Sequence, residues 1–370
     1  MKPESLRRRL DELSNQPCLV LDGGMGTALN ELGLKENDAW LAPHHLDQVF
    51  IRDCVKRAHQ AFLESGIDIL TTNTYKLSKI SIVNDGVNHG CLMDDEFDFN
   101  QLSIDNITLA KETIDEFMAK NDGCGKPSVK PRPLLAVSVS SFSTIVIGRA
   151  GTANREHAPG LDCIRCEGYG FGAPVLKSYF HSKMTDEILH HAAKCLVSVL
   201  AIETVGDHME VQVICDVLES KAGILSDTGI STWVTMTCLT TETVDTGGSV
   251  IECLEILAKC PQVTGLGINC TEPHLVVPML KKIKTVLHDC QAEDKLVVVY
   301  PNSGETYRSR MLKEGETEHW TWKDDGSGAD WDFTEAALDW VKHGADIVGG
   351  CCRITAKQLA KFVKNVAVNS

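Results

Sequence analysis

The chain has no apolar run approaching the roughly 20 residues that would cross a bilayer, so no membrane span is expected. It is also short of positive charge, with 36 lysines and arginines against 51 aspartates and glutamates, a formal net charge of -15. A surface of that sign repels phosphate backbones and anionic membranes, which argues against nucleic acid as a partner. The start, Met1 to Leu10, is basic but runs into Asp11 and Glu12 rather than an apolar signal core. A cytoplasmic location is therefore expected. The glycine turn Gly23-Gly24-Met25-Gly26 lacks the G-x-G-x-x-G spacing that cradles a pyrophosphate, which weakens a doubly wound dinucleotide-binding sheet. Low-complexity segments are absent.

What remains is an ordinary soluble composition, 43% hydrophobic and 24% charged, in 370 residues, enough to bury a large core. Eight short apolar runs suit buried parallel strands: Cys18-Gly24, Ile67-Tyr75, Leu134-Ser140, Leu196-Thr204, Thr232-Leu239, Thr264-Thr271, Leu296-Asn302 and Ala345-Cys351. Segments with helical spacing separate most of them. Repeated βα units without a composition break point to an α/β fold, a single (β/α)8 TIM barrel over residues 1–370. Two long stretches, 141–179 and 304–332, follow the third and seventh strands and are expected as loops at the C-terminal rim, where substrate loops of such barrels lie. A polar, acidic insertion at 84–100 reads as a solvated loop.

Fifteen cysteines in a chain without an export signal read as free thiols, metal ligands or catalytic groups rather than a disulfide framework. The sixth strand ends in Gly267-Ile268-Asn269-Cys270 and the eighth in Gly349-Gly350-Cys351-Cys352, which puts three thiols at one rim. Three thiolates suit zinc, and three protein ligands leave a fourth, catalytic position open. Packing alone would account for a lone buried cysteine; two adjacent thiols after Gly-Gly fit that account poorly. Cys163 and Cys166 form a C-x-x-C without a second half at metal-site spacing, and read as loop thiols.

These residues stand within a longer series: Leu21-Asp22-Gly23-Gly24-Met25-Gly26-Thr27, Thr72-Asn73-Thr74-Tyr75, Ala201-Ile202-Glu203-Thr204, Gly267-Ile268-Asn269-Cys270, Tyr300-Pro301-Asn302-Ser303-Gly304-Glu305 and Gly349-Gly350-Cys351-Cys352. In order and spacing the series resembles the homocysteine S-methyltransferases over nearly the whole chain. The resemblance implies a zinc (Zn2+) site of Cys270, Cys351 and Cys352, with the homocysteine sulfur in the fourth position. It also implies that Asp22 and Glu203 face the substrate amino group, while the amides of Gly23 and Gly24 offer an anion site for its carboxylate. Helix capping is the alternative for Asp22. Asn302 and Ser303 either bond substrate or simply make their turn. Thr74 and Tyr75 either line the pocket or pack the barrel.

The third-strand loop, Ser141-Phe142-Ser143 onward, departs from the glycine-rich run associated with the family and leaves the methyl donor open. A small sulfonium, S-methylmethionine or S-adenosylmethionine, is expected, because the chain stops soon after its eighth helix, with no folate or cobalamin module and without the extension by which betaine-using members dimerise. A sulfonium leaves as a neutral thioether and needs no general acid. The alternatives are a betaine-type donor, a zinc hydrolase, disfavoured because three thiolates acidify metal-bound water poorly, and a non-catalytic zinc or thiol sensor. The oligomeric state is left open.

Overall fold

Alternation along the apolar runs sorts their side chains between two cores. A computed structural model describes residues 6–12, 16–34, 48–77, 98–122, 131–143, 173–308, 319–321 and 331–368. The strands are β1 (Leu19–Val20), β2 (Ile69–Thr71), β3 (Leu134–Ser140), β4 (Val197–Val205), β5 (Ser231–Met236), β6 (Gly265–Asn269), β7 (Leu296–Tyr300), β8 (Thr306–Arg308), β9 (His319–Thr321) and β10 (Ile347–Val348). In β3, Leu134 and Ala136 join a cluster with Leu19, Ile69, Val199, Trp233 and Val298, while Leu135, Val137 and Val139 join a larger cluster shared with the helices. One set fills the barrel interior and the other seats the surrounding helices.

Eight strands pair in parallel in the order β1-β10-β7-β6-β5-β4-β3-β2. A parallel bridge between Leu21 and Ile69, with Asp68 N–H donating to the Val20 carbonyl at 2.8 Å and Asp22 N–H to the Ile69 carbonyl at 3.2 Å, closes β1 onto β2. The TIM barrel expected from the βα repeats is the architecture found. The two remaining strands, β8 and β9, form an antiparallel hairpin. No helix among the described residues is long and apolar enough to cross a membrane.

Helices Gln48–Glu64, Phe99–Asp122, His208–Ser220, Val250–Lys259, Val276–Asp289, Phe333–Lys342 and Ala356–Val368 surround the ring. Several begin on side-chain caps: Asp207 accepts from the amides of Met209 and Glu210, Ser249 from Glu252, and Asp332 from Thr334 and Glu335. Each such cap contributes about 1 kcal/mol and ends the preceding rim loop at a defined residue. Leu6–Glu12 is a helix that the apolar pattern did not announce; Leu6 is buried with the interior cluster.

Most strands are shorter than their apolar runs, and three markedly so: Ile67-Tyr75 contributes only Ile69–Thr71 as regular strand, and the first and eighth runs contribute still less. Cys18-Gly24 contributes only Leu19–Val20 and Ala345-Cys351 only Ile347–Val348 as regular strand. Beyond those residues the backbone stays bonded, Gly349 N–H to the Val299 carbonyl and Gly350 N–H to the Asp22 carbonyl, both at 3.0 Å, but leaves the regular ladder. The rim ends of these runs hold site residues instead of extending the sheet. Of the expected loop 141–179, residues 144–172, including Cys163 and Cys166, lie outside the described residues, and Ala173–Lys183 is a helix. Most of 84–100 also lies outside them.

Candidate active site

Glycine brings the β1 and β10 ends into contact. A Cβ on Gly24 would stand 2.6 Å from the Cys351 carbonyl oxygen, and one on Gly349 would stand 2.6 Å from the Leu21 Cβ. Only residues without a side chain allow this approach. On the other side, a Cβ on Gly267 would meet the Val298 carbonyl oxygen at 1.8 Å, so β6 lies tight on β7. The result is that Cys270, at the end of β6, and Cys351-Cys352, after β10, converge.

The three sulfurs all lie within 4.8 Å of one another, with Cys270 buried and the other two partly exposed. Cys270 and Cys351 are joined as a disulfide with Cα atoms 5.5 Å apart, and the Cys352 sulfur lies 3.9 Å from that of Cys351. The last distance is close to the edge, about 3.8 Å, of a tetrahedron with metal–sulfur bonds of about 2.3 Å. Opened to thiols, this set fits a soft tetrahedral ion such as zinc, with one position left over.

The turn after β7 grips the backbone of all three cysteines. Cys351 N–H donates to the Pro301 carbonyl at 2.8 Å, Ser303 N–H to the Cys352 carbonyl at 3.1 Å, and Asn302 Nδ2 to the Cys270 carbonyl at 3.0 Å. Asn302 Oδ1 accepts from Gly304 N–H at 2.8 Å. Its Nδ2 thereby braces the thiol site and its Oδ1 the turn, each with one of its two hydrogen-bonding positions. Farther along the turn, Glu305 accepts from Ser303 Oγ at 2.9 Å and from Arg353 Nε at 3.0 Å, tying it to the residue after Cys352.

Asp22 and Glu203 lie at the same rim, and both are buried. Asp22 Oδ2 accepts from Thr71 N–H at 2.7 Å and Thr71 Oγ1 at 2.9 Å, so it does not cap a helix. Burial pushes its carboxyl up to about 7, the Thr71 hydrogen bonds oppose this, and the charge of Glu203 adds to the rise. Burial likewise pushes Glu203 up to about 7, against hydrogen bonds from Ser138, whose Oγ is 2.5 Å from Oε1, and from Tyr300. Two apposed carboxyls of this kind invite a cation, which would let both ionise.

The other expected contacts divide. Gly24 N–H donates to the Ile354 carbonyl at 3.0 Å, so its amide is not open to a ligand; Gly23 N–H has no such partner among the described residues. Thr74 Oγ1 donates to the Ser138 carbonyl at 2.7 Å and is buried in the barrel wall. Tyr75 reaches across to Thr204 Oγ1 at 2.9 Å. Residue-by-residue reading missed Ser138, Thr71 and Tyr300 as partners of the acids. For Ser138 the signal was present: in Leu134–Ser140 the inward positions change from Leu and Ala to Ser toward the rim.

The family model described as homocysteine S-methyltransferase matches residues 19–366. The chain is 28% identical over 357 residues to Homocysteine S-methyltransferase 4 of Zea mays, covering 94% of this chain and 90% of that protein. It is 28% identical over 352 residues to the Selenocysteine methyltransferase of Astragalus bisulcatus, covering 93% and 91%. Among solved structures, the metallated form of the homocysteine methyltransferase MmuM from Escherichia coli superposes with a TM-score of 0.65 at 18% identity, covering 96% of this chain and 98% of that one. Its oxidized form gives 0.66 at 19% identity, covering 97% and 99%. With a family model spanning nearly all of its length, the chain belongs to the homocysteine S-methyltransferase family.

Proposed function

We propose that this protein transfers a methyl group from a small sulfonium donor, S-methylmethionine or S-adenosylmethionine, to homocysteine, forming methionine, and that Cys270, Cys351 and Cys352 hold zinc for this reaction. The observation that carries the reading is the convergence of three sulfurs beside two buried acids at one rim. Zinc, when bound, favours the thiolate of the substrate over the thiol, whose ordinary pKa of about 8.5 keeps it mostly protonated at neutral pH. Asp22 and Glu203 take the substrate ammonium, and the Gly23 amide takes its carboxylate. These contacts orient the thiolate so that its lone pair attacks the methyl carbon as the donor's S–CH3 bond breaks and leaves a neutral thioether. No proton moves in that step.

The relatives' names support the acceptor, and the metallated form of one solved relative supports a metal. The test is methionine formation by reduced, zinc-loaded protein given homocysteine with S-methylmethionine, S-adenosylmethionine or betaine separately. Turnover with either sulfonium is expected. Turnover with betaine alone would overturn the donor assignment, and none with any donor despite bound zinc would overturn the reaction.

A further inference from the structure

Glu203 points into the barrel by the ordinary alternation of β4, in register with Ser140 of β3, and an irregularity begins directly after it. Pairing with β5 runs Ile202 to Val234 and resumes only at Val205 to Met236, so Glu203 and Thr204 share the space of one partner residue. Before this bulge Val199 and Ala201 face the barrel interior, as Glu203 does, whereas Val205 after it packs with the outer cluster. Thr204 absorbs the extra residue with φ of 63°, a left-handed conformation that is costly for a β-branched side chain. Something must hold it there. Asn269, fully inside the barrel at 1% exposure, applies both ends of its amide to that one residue: Oδ1 accepts from Thr204 N–H and Nδ2 donates to Thr204 Oγ1, each at 2.8 Å. Tyr75 adds a third hydrogen bond from its hydroxyl to Thr204 Oγ1 at 2.9 Å.

We propose that Asn269 is a positioning residue for substrate recognition: by locking Thr204 in its left-handed conformation it fixes the β4 bulge and so holds in place the adjoining backbone that presents Glu203 to the substrate ammonium. This rests on the reading of homocysteine as substrate and of Glu203 as its amino-group partner. Asn269 also precedes Cys270, so one strand end sets both the acid and a thiol. Its amide does not touch the substrate; it acts through Thr204.

The experiment is steady-state kinetics and direct homocysteine binding for metal-loaded wild type, Asn269→Ala, and Asn269→Ala with Thr204→Gly, each with its metal content measured. Asn269→Ala is expected to raise KM for homocysteine about tenfold while kcat stays within about twofold. Because glycine adopts positive φ without support, Thr204→Gly is expected to return KM to within about threefold of wild type, which it would not do if Asn269 merely filled space. In a Glu203→Gln background, Asn269→Ala should add little, since both changes act on one contact. Should Asn269→Ala not fold, Tyr75→Phe takes its place, with a smaller rise in KM that disappears in the Glu203→Gln background. Wild-type binding with unchanged KM in these variants, or a loss that Thr204→Gly leaves in place, overturns the positioning role alone. No homocysteine binding by metal-loaded wild type overturns the substrate reading and this inference together.

Discussion

Glu203 and Asp22 are acids that burial holds near the middle of their titration at neutral pH, each pushed up to about 7 from an unfolded value of about 4. The sign of the consequence follows. Stability drawn from the protonated acids is complete below about 4 and is lost as pH rises through about 7, because above that point the unfolded chain has already shed the proton that the folded chain must also give up. A bound ammonium reverses the balance by favouring the ionised pair. KM for homocysteine is therefore expected to fall as pH rises from 6 to 8, and Glu203→Gln to flatten that limb and raise KM about tenfold or more. Initial-rate measurements at saturating donor check both. The acids themselves were legible because a carboxylate ending an apolar strand requires a partner. Those partners were less legible, since Thr71 and Tyr300 come from strands distant in sequence and only register brings them to the acids.

At the scale of elements, the site depends on how closely two turns approach. The Gly23-Gly24 turn suggested an anion-binding pair of amides, but Gly24 is there for contact: its amide donates to Ile354 and its Cα faces the Cys351 carbonyl with no space for a side chain. Gly24→Ala must push the β10 turn outward, since the atom it meets at 2.6 Å is backbone. The expected outcome is zinc affinity lowered about tenfold or more, read by competition with a chromophoric chelator, with overall stability reduced by about 1–3 kcal/mol as in other overpacked positions. Unchanged affinity would mean that the turn yields without moving Cys351. The elements were legible to different depths. Leu134–Ser140 was read to the residue because its seven buried positions are small or apolar, with serine only at inward positions near the rim. Leu19–Val20 and Ile347–Val348 were read too long because the same apolar residues continue past the point where the backbone turns to form the site. Helix Ala173–Lys183 was hidden by the glycine- and proline-rich composition of the segment leading into it.

For the whole molecule, the barrel converts distance in sequence into proximity: residues 22, 203, 270 and 351 lie at one rim because their strands all end there. It also separates folding from chemistry, since the cysteines lie at that rim and the interior below them is filled by Leu, Val, Ala and Trp233. Cys270→Ser, Cys351→Ser and Cys352→Ser are accordingly expected to bind substoichiometric zinc and lose at least about 100-fold in methyl transfer. Their circular dichroism and thermal unfolding should remain those of a folded barrel. The disulfide between Cys270 and Cys351 sharpens the same expectation, because a sulfur bonded to sulfur offers no thiolate to a metal. Oxidised protein should take up no zinc at this site and show no turnover, and reduction followed by zinc should restore both, with two thiols recovered per chain. A serine variant with full activity, or oxidised protein that binds zinc with wild-type affinity, would show that the metal, if any, lies elsewhere. That result would leave the three cysteines as a structural cluster and the paired acids as the part of the rim still requiring a function.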